Sequence, residues 1–153
     1  MSYLLESLTR KEDVDKLILD TIDKVLVLRI GRASDVVCMQ LDEILAKSVR
    51  DVSKFASIGL IDADAPEIQT YIKYFDISLI PATIFFFNAH HMKMDSGTPD
   101  HTKWIGAFHT KQDFIDVVEV CWAWYILAQF VGSLKLADIR LDLKLCMGMG
   151  LDD

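Results

Sequence analysis

The chain has 153 residues, of which 52% are hydrophobic and 25% charged, so its composition is that of a globular domain and not of a disordered segment. Its formal net charge of −7 argues against direct binding to nucleic acid, because phosphate contacts need clustered lysine and arginine side chains. The charge leaves open a place inside a ribonucleoprotein, where protein partners hold the chain.

The spacing of the cysteines and the length of the apolar runs indicate in which compartment the chain resides and whether it spans a membrane. Cys38, Cys121 and Cys146 lie far apart, without the close spacing of a zinc site or a redox dithiol, which fits a reducing compartment such as the cytosol or nucleus. Met1–Arg10 lacks the basic and apolar regions of a secretory signal. The longest uncharged run, Val120–Leu134, is too short to span a bilayer and is predicted to be a buried helix.

The first half of the chain alternates helices with strands that are buried on both faces. Val25–Leu28 and Ser57–Ile61 are apolar runs without polar alternation, which is typical of central strands. On the helix between them, Gln40, Asp42, Glu43, Lys47 and Arg50 are predicted to face solvent. The inward positions of the three helices recur at helical spacing and are Val14, Leu17 and Ile18; Val37, Leu41, Ile44, Leu45, Ser48, Val49 and Val52; and, after Pro66, Ile68, Tyr71, Ile72 and Phe75.

The second half predicts an antiparallel hairpin and a last helix. Thr83–Phe87 is a strand, residues 88–90 form a turn, and His91–Met94 returns. The final helix, capped by Thr110, turns Phe114, Val117, Val118 and Cys121 inward. Strands that alternate with helices pair in parallel through right-handed crossovers, and the hairpin adds an antiparallel edge. The order predicts an α/β thioredoxin fold, a mixed central β-sheet flanked by helices on both faces.

A thioredoxin fold carries its redox chemistry where the first buried strand meets the next helix, because the helix N-terminus lowers the pKa of a thiol there. The pattern is C-x-x-C, and the corresponding residues here are Asp35-Val36-Val37-Cys38. Asp35 occupies the attacking position, where a carboxylate stabilises the helix but cannot exchange disulfides. Cys38 occupies the resolving position and is predicted to be a buried, inert thiol. The sequence therefore predicts a degenerate redox position at Asp35 and Cys38, without a catalytic residue.

Pro81 is the second landmark of this fold. Thioredoxin-fold proteins carry a cis-proline before the third strand, facing the redox turn, and the order of elements predicts the cis form for Ile80-Pro81. The alternative is that Pro81 only begins a strand.

The other candidate ligands do not form a recognisable site. His90 and His91 are adjacent on a predicted turn, His101 and His109 lie apart, and none has the i, i+4 partner of a helical zinc site. Gly31 stands without a glycine-rich phosphate loop. No metal and no cofactor are predicted.

Seven segments together resemble the Dim family of thioredoxin-like pre-mRNA-splicing proteins, and within it the branch called thioredoxin-like four B. The resemblance extends over about 120 residues and is more specific than any single motif. The segments are Met1–Leu5, Val25–Arg32, Asp35–Leu45, Tyr74–Pro81, Phe85–Asn88, Gly97–Lys103 and Thr110–Asp116.

The resemblance implies a non-catalytic interaction protein of the nucleus. Members of the family act in pre-mRNA splicing within the spliceosomal tri-snRNP and are linked to cell-cycle progression. The implied partners are spliceosomal proteins, with no direct sequence-specific contact to nucleic acid and no membrane. Neither an enzymatic activity nor a cofactor is implied.

The chain departs from the family at two places. Val36 stands where the family usually has proline, and the resemblance fails from Cys121 onward. We therefore predict a thioredoxin-like domain over residues 1–120 and a divergent apolar tail over residues 121–153.

Two other functions remain open from the sequence. One is a thiol-dependent redox protein that uses the single Cys38, although monothiol relatives of thioredoxin keep the first cysteine and not the second. The other is a homo-oligomeric scaffold, including a homodimer, because an apolar tail and an open sheet edge permit self-association.

Overall fold

The computed structural model describes Leu5 and residues 7–95, 102–131 and 140–142. In chain order the elements are β1 (Ser7–Leu8), α1 (Lys11–Asp20), β2 (Val25–Gly31), α2 (Val36–Val52), β3 (Ala56–Asp62), a 3₁₀ turn (Pro66–Ile68), α3 (Gln69–Tyr74), β4 (Ala82–Phe87), β5 (His90–His91), β6 (Lys93–Asp95), β7 (Trp104–Ile105), α4 (Lys111–Val131) and β8 (Arg140–Asp142).

The central sheet is mixed, as the sequence predicts. Its strands follow the spatial order β1–β3–β2–β4–β5, and β7 also pairs with β4. The strands β1, β3 and β2 are parallel, whereas β4 is antiparallel to β2 and to both β5 and β7. The predicted antiparallel hairpin is present, but its returning strand β5 is His90–His91 and not the predicted His91–Met94. The short strands β6 and β8 form a separate parallel pair that the sequence did not predict.

The two faces of the sheet carry separate hydrophobic clusters. Val25 and Val27 of β2 pack with α2 and α4, whereas Leu26, Leu28 and Ile30 pack with α1 and α3. Every residue of β2 and of β4 is buried, including the three phenylalanines of β4. Coverage on both faces explains why these strands show no polar alternation.

Helix α2 places its inward residues differently from the prediction at one position. The buried column is Cys38, Leu41, Leu45, Ser48 and Val52. Val37 is 41% exposed, because the neighbouring Cys38 takes the inward position of the first turn and a residue one step away lies about 100° around the helix.

Helix α4 continues across the predicted boundary between residues 120 and 121. Its first turn is capped by the Thr110 hydroxyl, which accepts a hydrogen bond from the Asp113 N–H at 3.1 Å. Beyond that boundary Cys121, Tyr125 and Ala128 are buried in the same core as Phe114. Most of the predicted tail lies outside the described residues, so the division at residue 120 stays a prediction.

The uncharged run Val120–Leu134 is helical as far as Val131, and Gly132–Leu134 lie outside the described residues. Only one side of this helix is buried, because Trp124, Leu127 and Phe130 are exposed. None of the helices in the described part of the chain has both the length and the apolar character needed to cross a membrane.

Candidate functional site: a degenerate redox turn

The sheet brings the predicted site residues to one end. Ile30 of β2 lies opposite Ala82 of β4, so the following Gly31 and the preceding Pro81 are neighbours across the two strands. The peptide bond between Ile80 and Pro81 is cis, and the Pro81 carbonyl accepts a hydrogen bond from the Gly106 N–H at 2.9 Å. The turn that leads from β2 into α2 therefore faces the segment that enters β4.

Asp35 is the N-cap residue of α2. Its carboxylate accepts a hydrogen bond from the Cys38 N–H at 2.9 Å, so it satisfies a backbone donor that the helix leaves without a partner. This hydrogen bond holds the pKa of Asp35 below its ordinary value. Asp35 is thus an ionised cap at neutral pH, and a carboxylate cannot attack a disulfide.

Cys38 is a buried thiol in the first turn of α2, next to the Asp35 cap. Its side chain is fully buried, and its Sγ accepts a hydrogen bond from the Arg32 N–H at 3.4 Å. Burial raises the pKa of the thiol, and the nearby Asp35 carboxylate adds to that effect. A Cβ atom on Gly31 would lie 2.6 Å from Sγ, so glycine is what lets strand and thiol pack together. A neutral, inaccessible thiol is poorly suited to disulfide exchange.

A buried arginine lies beneath the turn. Arg29 is 1% exposed, and its Nε and Nη2 each donate to the Asp42 carboxylate at 2.8 Å. Its Nη1 also donates to the Ile61 carbonyl at 3.2 Å. The prediction that Asp42 belongs to a solvated helix face was therefore wrong, because α2 turns this carboxylate toward the sheet. The available signal was a single arginine within an otherwise apolar strand.

An open cleft of about 390 Å³ joins the redox turn to the loop before Pro81. Its lining includes Arg32, Asp64, Ser78 and Ile80. Arg32 Nε donates to both carboxylate oxygens of Asp64, at 2.7 and 2.9 Å, on the exposed rim. A polar rim beside a shallow cleft suits contact with another protein better than it suits chemistry.

Exposed apolar side chains occur at the same end of the sheet. Val36 and Met39 in the first turns of α2 are 67% and 55% exposed, and Leu79, two residues before Pro81, is 63% exposed. We call these three residues the turn patch. The sequence marked Val36 only as a departure from the family's proline, and Met39 and Leu79 were not singled out. The exposure of individual apolar residues depends on where the helix begins.

The histidines do not converge. His91 was predicted to lie on a turn, but it lies in β5 and contacts Phe75 and Phe86, with ring centroids 5.1 and 5.6 Å away. Its Nε2 lies 2.8 Å from the Thr102 carbonyl. His90 and His109 are exposed, and His101 lies outside the described residues. The described segments contain no group of three or more His, Cys, Asp or Glu side chains arranged to hold a metal ion.

A family model described as "DIM1: Mitosis protein DIM1" matches residues 4–125. The chain belongs to the DIM1 family. The chain is 58% identical over 120 residues to Thioredoxin-like protein 4B of Homo sapiens, which covers 78% of this chain and 79% of that protein. These matches confirm the family resemblance and place its end within α4.

Two more distant relatives carry informative names. Mitosis protein dim1 of Schizosaccharomyces pombe is 33% identical over 119 residues, or 78% of this chain and 82% of that protein. Spliceosomal protein DIB1 of Saccharomyces cerevisiae is 32% identical over 118 residues, or 77% of this chain and 81% of that protein.

Solved structures confirm the thioredoxin fold. Mitochondrial thioredoxin 3 of Saccharomyces cerevisiae has a TM-score of 0.58 and 16% identity, over 76% of this chain and 94% of the other. The thioredoxin Deadhead of Drosophila melanogaster has a TM-score of 0.60 and 16% identity, over 76% of this chain and 98% of the other. Identities this low show the fold alone.

Proposed function

We propose that this chain is a non-catalytic interaction protein of pre-mRNA splicing, a component or associate of the spliceosomal tri-snRNP in the nucleus, with a link to cell-cycle progression. The observation that carries the proposal is membership of the DIM1 family, whose relatives include a spliceosomal protein and a mitosis protein.

The redox turn supports a role without thiol chemistry. The attacking position holds the capping Asp35 carboxylate, and the Cys38 thiol is buried behind it. Both groups stabilise α2, and neither is available for thiol chemistry. The fold would then act as a scaffold for binding. The alternative redox function would need Cys38 to reach a substrate, and its burial disfavours that.

The cleft and the turn patch are the surface that we assign to spliceosomal protein partners. Exposed aliphatic side chains beside a polar rim are the usual composition of a protein interface. The net charge of −7 also favours protein partners over RNA. Self-association, the second alternative, remains a prediction that size-exclusion chromatography with light scattering tests directly.

The first experiment is an affinity pull-down of the tagged full chain from nuclear extract, with identification of the bound proteins and small nuclear RNAs. We expect recovery of spliceosomal proteins, an unchanged result for Cys38→Ala, and a loss for the double variant Val36→Glu/Leu79→Glu. Leu19→Glu is the matched control, since Leu19 is a 64% exposed leucine on α1 and lies outside the turn patch.

Two outcomes would count against the proposal. Loss of partners in Cys38→Ala, with the fold intact by circular dichroism, would restore the thiol hypothesis. Failure of the folded wild-type chain to recover any spliceosomal protein would remove the splicing function.

A further inference from the structure

The outward face of α4 is acidic in its first turns and apolar in its later turns. At about 100° per residue, Asp113 and Asp116 lie on the same side of α4 as Leu127, and Glu119 lies at the edge of that side. From Val120 to Phe130 no charged residue occurs. The outer positions there include Trp124, Leu127 and Phe130, which are 42%, 56% and 90% exposed. We call the three carboxylates and the three apolar side chains the α4 face.

The apolar half of this face lacks a cover in the described part of the chain. Cys121, Tyr125 and Ala128 on the opposite side of α4 are already buried in the core. A helix that is apolar on all sides is normally covered on all sides, because exposed apolar area is costly in water. A contiguous exposed apolar stripe rimmed by polar groups marks an interaction surface.

The acidic half of the α4 face indicates the charge of the partner that would bind there. In the described residues, no lysine or arginine pairs with Asp113, Asp116 or Glu119, and Lys111 pairs instead with Asp51 of α2 at 2.6 Å. These carboxylates therefore present uncompensated negative charge on the turns that precede the apolar residues. Complementary charge is what sets the orientation and the choice of partner at such surfaces.

We propose that the α4 face binds an amphipathic helix of another protein, with apolar residues against Trp124, Leu127 and Phe130 and with lysine or arginine against Asp116 and Glu119. A helix fits because the apolar positions on α4 recur at i, i+3 and i+6 along one ridge, which another helix can meet lengthwise. Basic residues at one end of the partner fix its direction.

The same charge pattern disfavours a second copy of the chain as the occupant. Parallel pairing of two α4 helices places the carboxylates of both copies together. Antiparallel pairing buries Asp116 and Glu119 against Trp124 and Leu127 without an opposite charge, and desolvation of an unpaired carboxylate is costly. A lipid surface is disfavoured as well, because helices that lie on membranes present basic and not acidic residues.

This inference is independent of the proposed splicing function. The family match ends at Tyr125, so Leu127 and Phe130 lie beyond it, and the cleft and turn patch use other residues. Either proposal can therefore fail without the other.

The test uses the full chain and a labelled synthetic amphipathic helix that carries leucines at helical spacing and lysines on the same face at one end. The matched control peptide has glutamate at every lysine position. Fluorescence anisotropy is expected to show binding of the lysine peptide at least about tenfold tighter than binding of the glutamate peptide. Asp116→Asn/Glu119→Gln is expected to remove that preference.

The double variant Leu127→Ser/Phe130→Ser is expected to weaken binding of the lysine peptide by about tenfold or more. The matched control Leu19→Ser, at an exposed leucine of α1, is expected to bind as the wild type does. Because Leu127 and Phe130 are exposed, both variants should unfold at the wild-type denaturant midpoint, which separates loss of binding from loss of fold.

Three results overturn the proposal. The first is equal or absent binding of the two peptides. The second is a dimer in sedimentation velocity that Leu127→Ser/Phe130→Ser dissolves, which assigns the face to a second copy. The third is binding to neutral phosphatidylcholine vesicles that the same variant abolishes, which assigns it to lipid.

Discussion

At the scale of single residues, two carboxylates stabilise the structure near the turn where thioredoxins carry out redox chemistry. Asp35 caps α2 through the Cys38 N–H, and Asp42 neutralises the buried Arg29 one layer below. Asp35 accepts from a backbone N–H in the first turn of α2, and Asp42 supplies the counter-charge for the buried guanidinium. Both roles can be tested by removing the acceptor.

Removal of the Asp35 cap is expected to destabilise the domain. Asp35→Ala should lower the midpoint of thermal unfolding by about 2–4 °C at neutral pH, whereas Asp35→Asn, a comparable cap, should preserve it. The folded-state pKa of Asp35 is lowered, so its stabilisation is complete above the unfolded value of 3.8 and is lost as the pH falls through the folded value.

Asp35→Asn removes this acid-dependent contribution, because an amide does not titrate. Unfolding midpoints measured from neutral pH down to about pH 2 should therefore fall less steeply for Asp35→Asn than for wild type. Parallel pH profiles for the two proteins would contradict the assignment of Asp35 as a charged cap.

Removal of Asp42 is expected to leave a guanidinium buried without a counter-ion. The Arg29 side chain is 2% exposed and the Asp42 side chain 23%, so Asp42→Ala should cost about 3 kcal/mol in urea unfolding. Arg29→Met/Asp42→Ala should cost less than Asp42→Ala alone, since no charge then remains buried. Glu43→Ala, which affects only the exposed pair with Lys47, should leave the unfolding midpoint unchanged. An equal loss for Asp42→Ala and Glu43→Ala would show that the buried pair does not matter.

At the scale of elements, α4 has one face for the core and one for solvent between Phe114 and Phe130. The core face runs from Phe114 to Ala128 and crosses the position where the family resemblance was predicted to end. The family model matches residues 4–125 and therefore includes the buried Cys121 and Tyr125 of α4. Of the buried α4 residues, Ala128 lies beyond the family match.

A substitution on each face of α4 tests this division. Tyr125 is fully buried with its ring 5.9 Å from that of Phe87, so Tyr125→Ala should destabilise the domain by about 3–5 kcal/mol. Trp124→Ala, one residue away and 42% exposed, should change the stability little. Urea unfolding followed by circular dichroism measures both. A negligible effect of Tyr125→Ala would mean that α4 leaves the core before residue 125.

At the scale of the whole molecule, the acidic charge disfavours direct contact with nucleic acid. The chain carries 23 acidic and 16 basic side chains. Several of the basic ones are already engaged, including Arg29 with Asp42, Arg32 with Asp64 and Lys47 with Glu43. The acidic side chains outnumber the basic ones, so the net charge of −7 disfavours phosphate binding.

We therefore expect no RNA binding by the isolated chain. Fluorescence anisotropy with single-stranded and duplex RNA at physiological salt should show no saturable binding tighter than about 100 µM. A basic RNA-binding domain under the same conditions provides the positive control. Saturable binding that weakens steeply with added salt would show a phosphate-binding surface and would contradict the assignment of protein partners only.

The order of elements could be predicted because each signal is local. Apolar runs marked β2 and β4, helical spacing marked the inward residues of α2, and Thr110 marked the start of α4. The prediction of a degenerate redox position uses the same local signals, since Asp35 and Cys38 follow a buried strand at a fixed distance. The strands β1, β7 and β8 escaped prediction because they are only two or three residues long and depend on pairing with distant strands.

The sequence by itself determined the alternation of elements, the presence of Asp35 and Cys38 after the first buried strand, and the family to which the chain belongs. The tertiary structure alone decided that Asp42 pairs with Arg29, that Val37 is exposed while Cys38 is buried, and that α4 keeps an uncovered apolar face. The physical reason is that burial and ion pairing depend on which surfaces meet across the sheet, and those contacts join residues far apart in the chain.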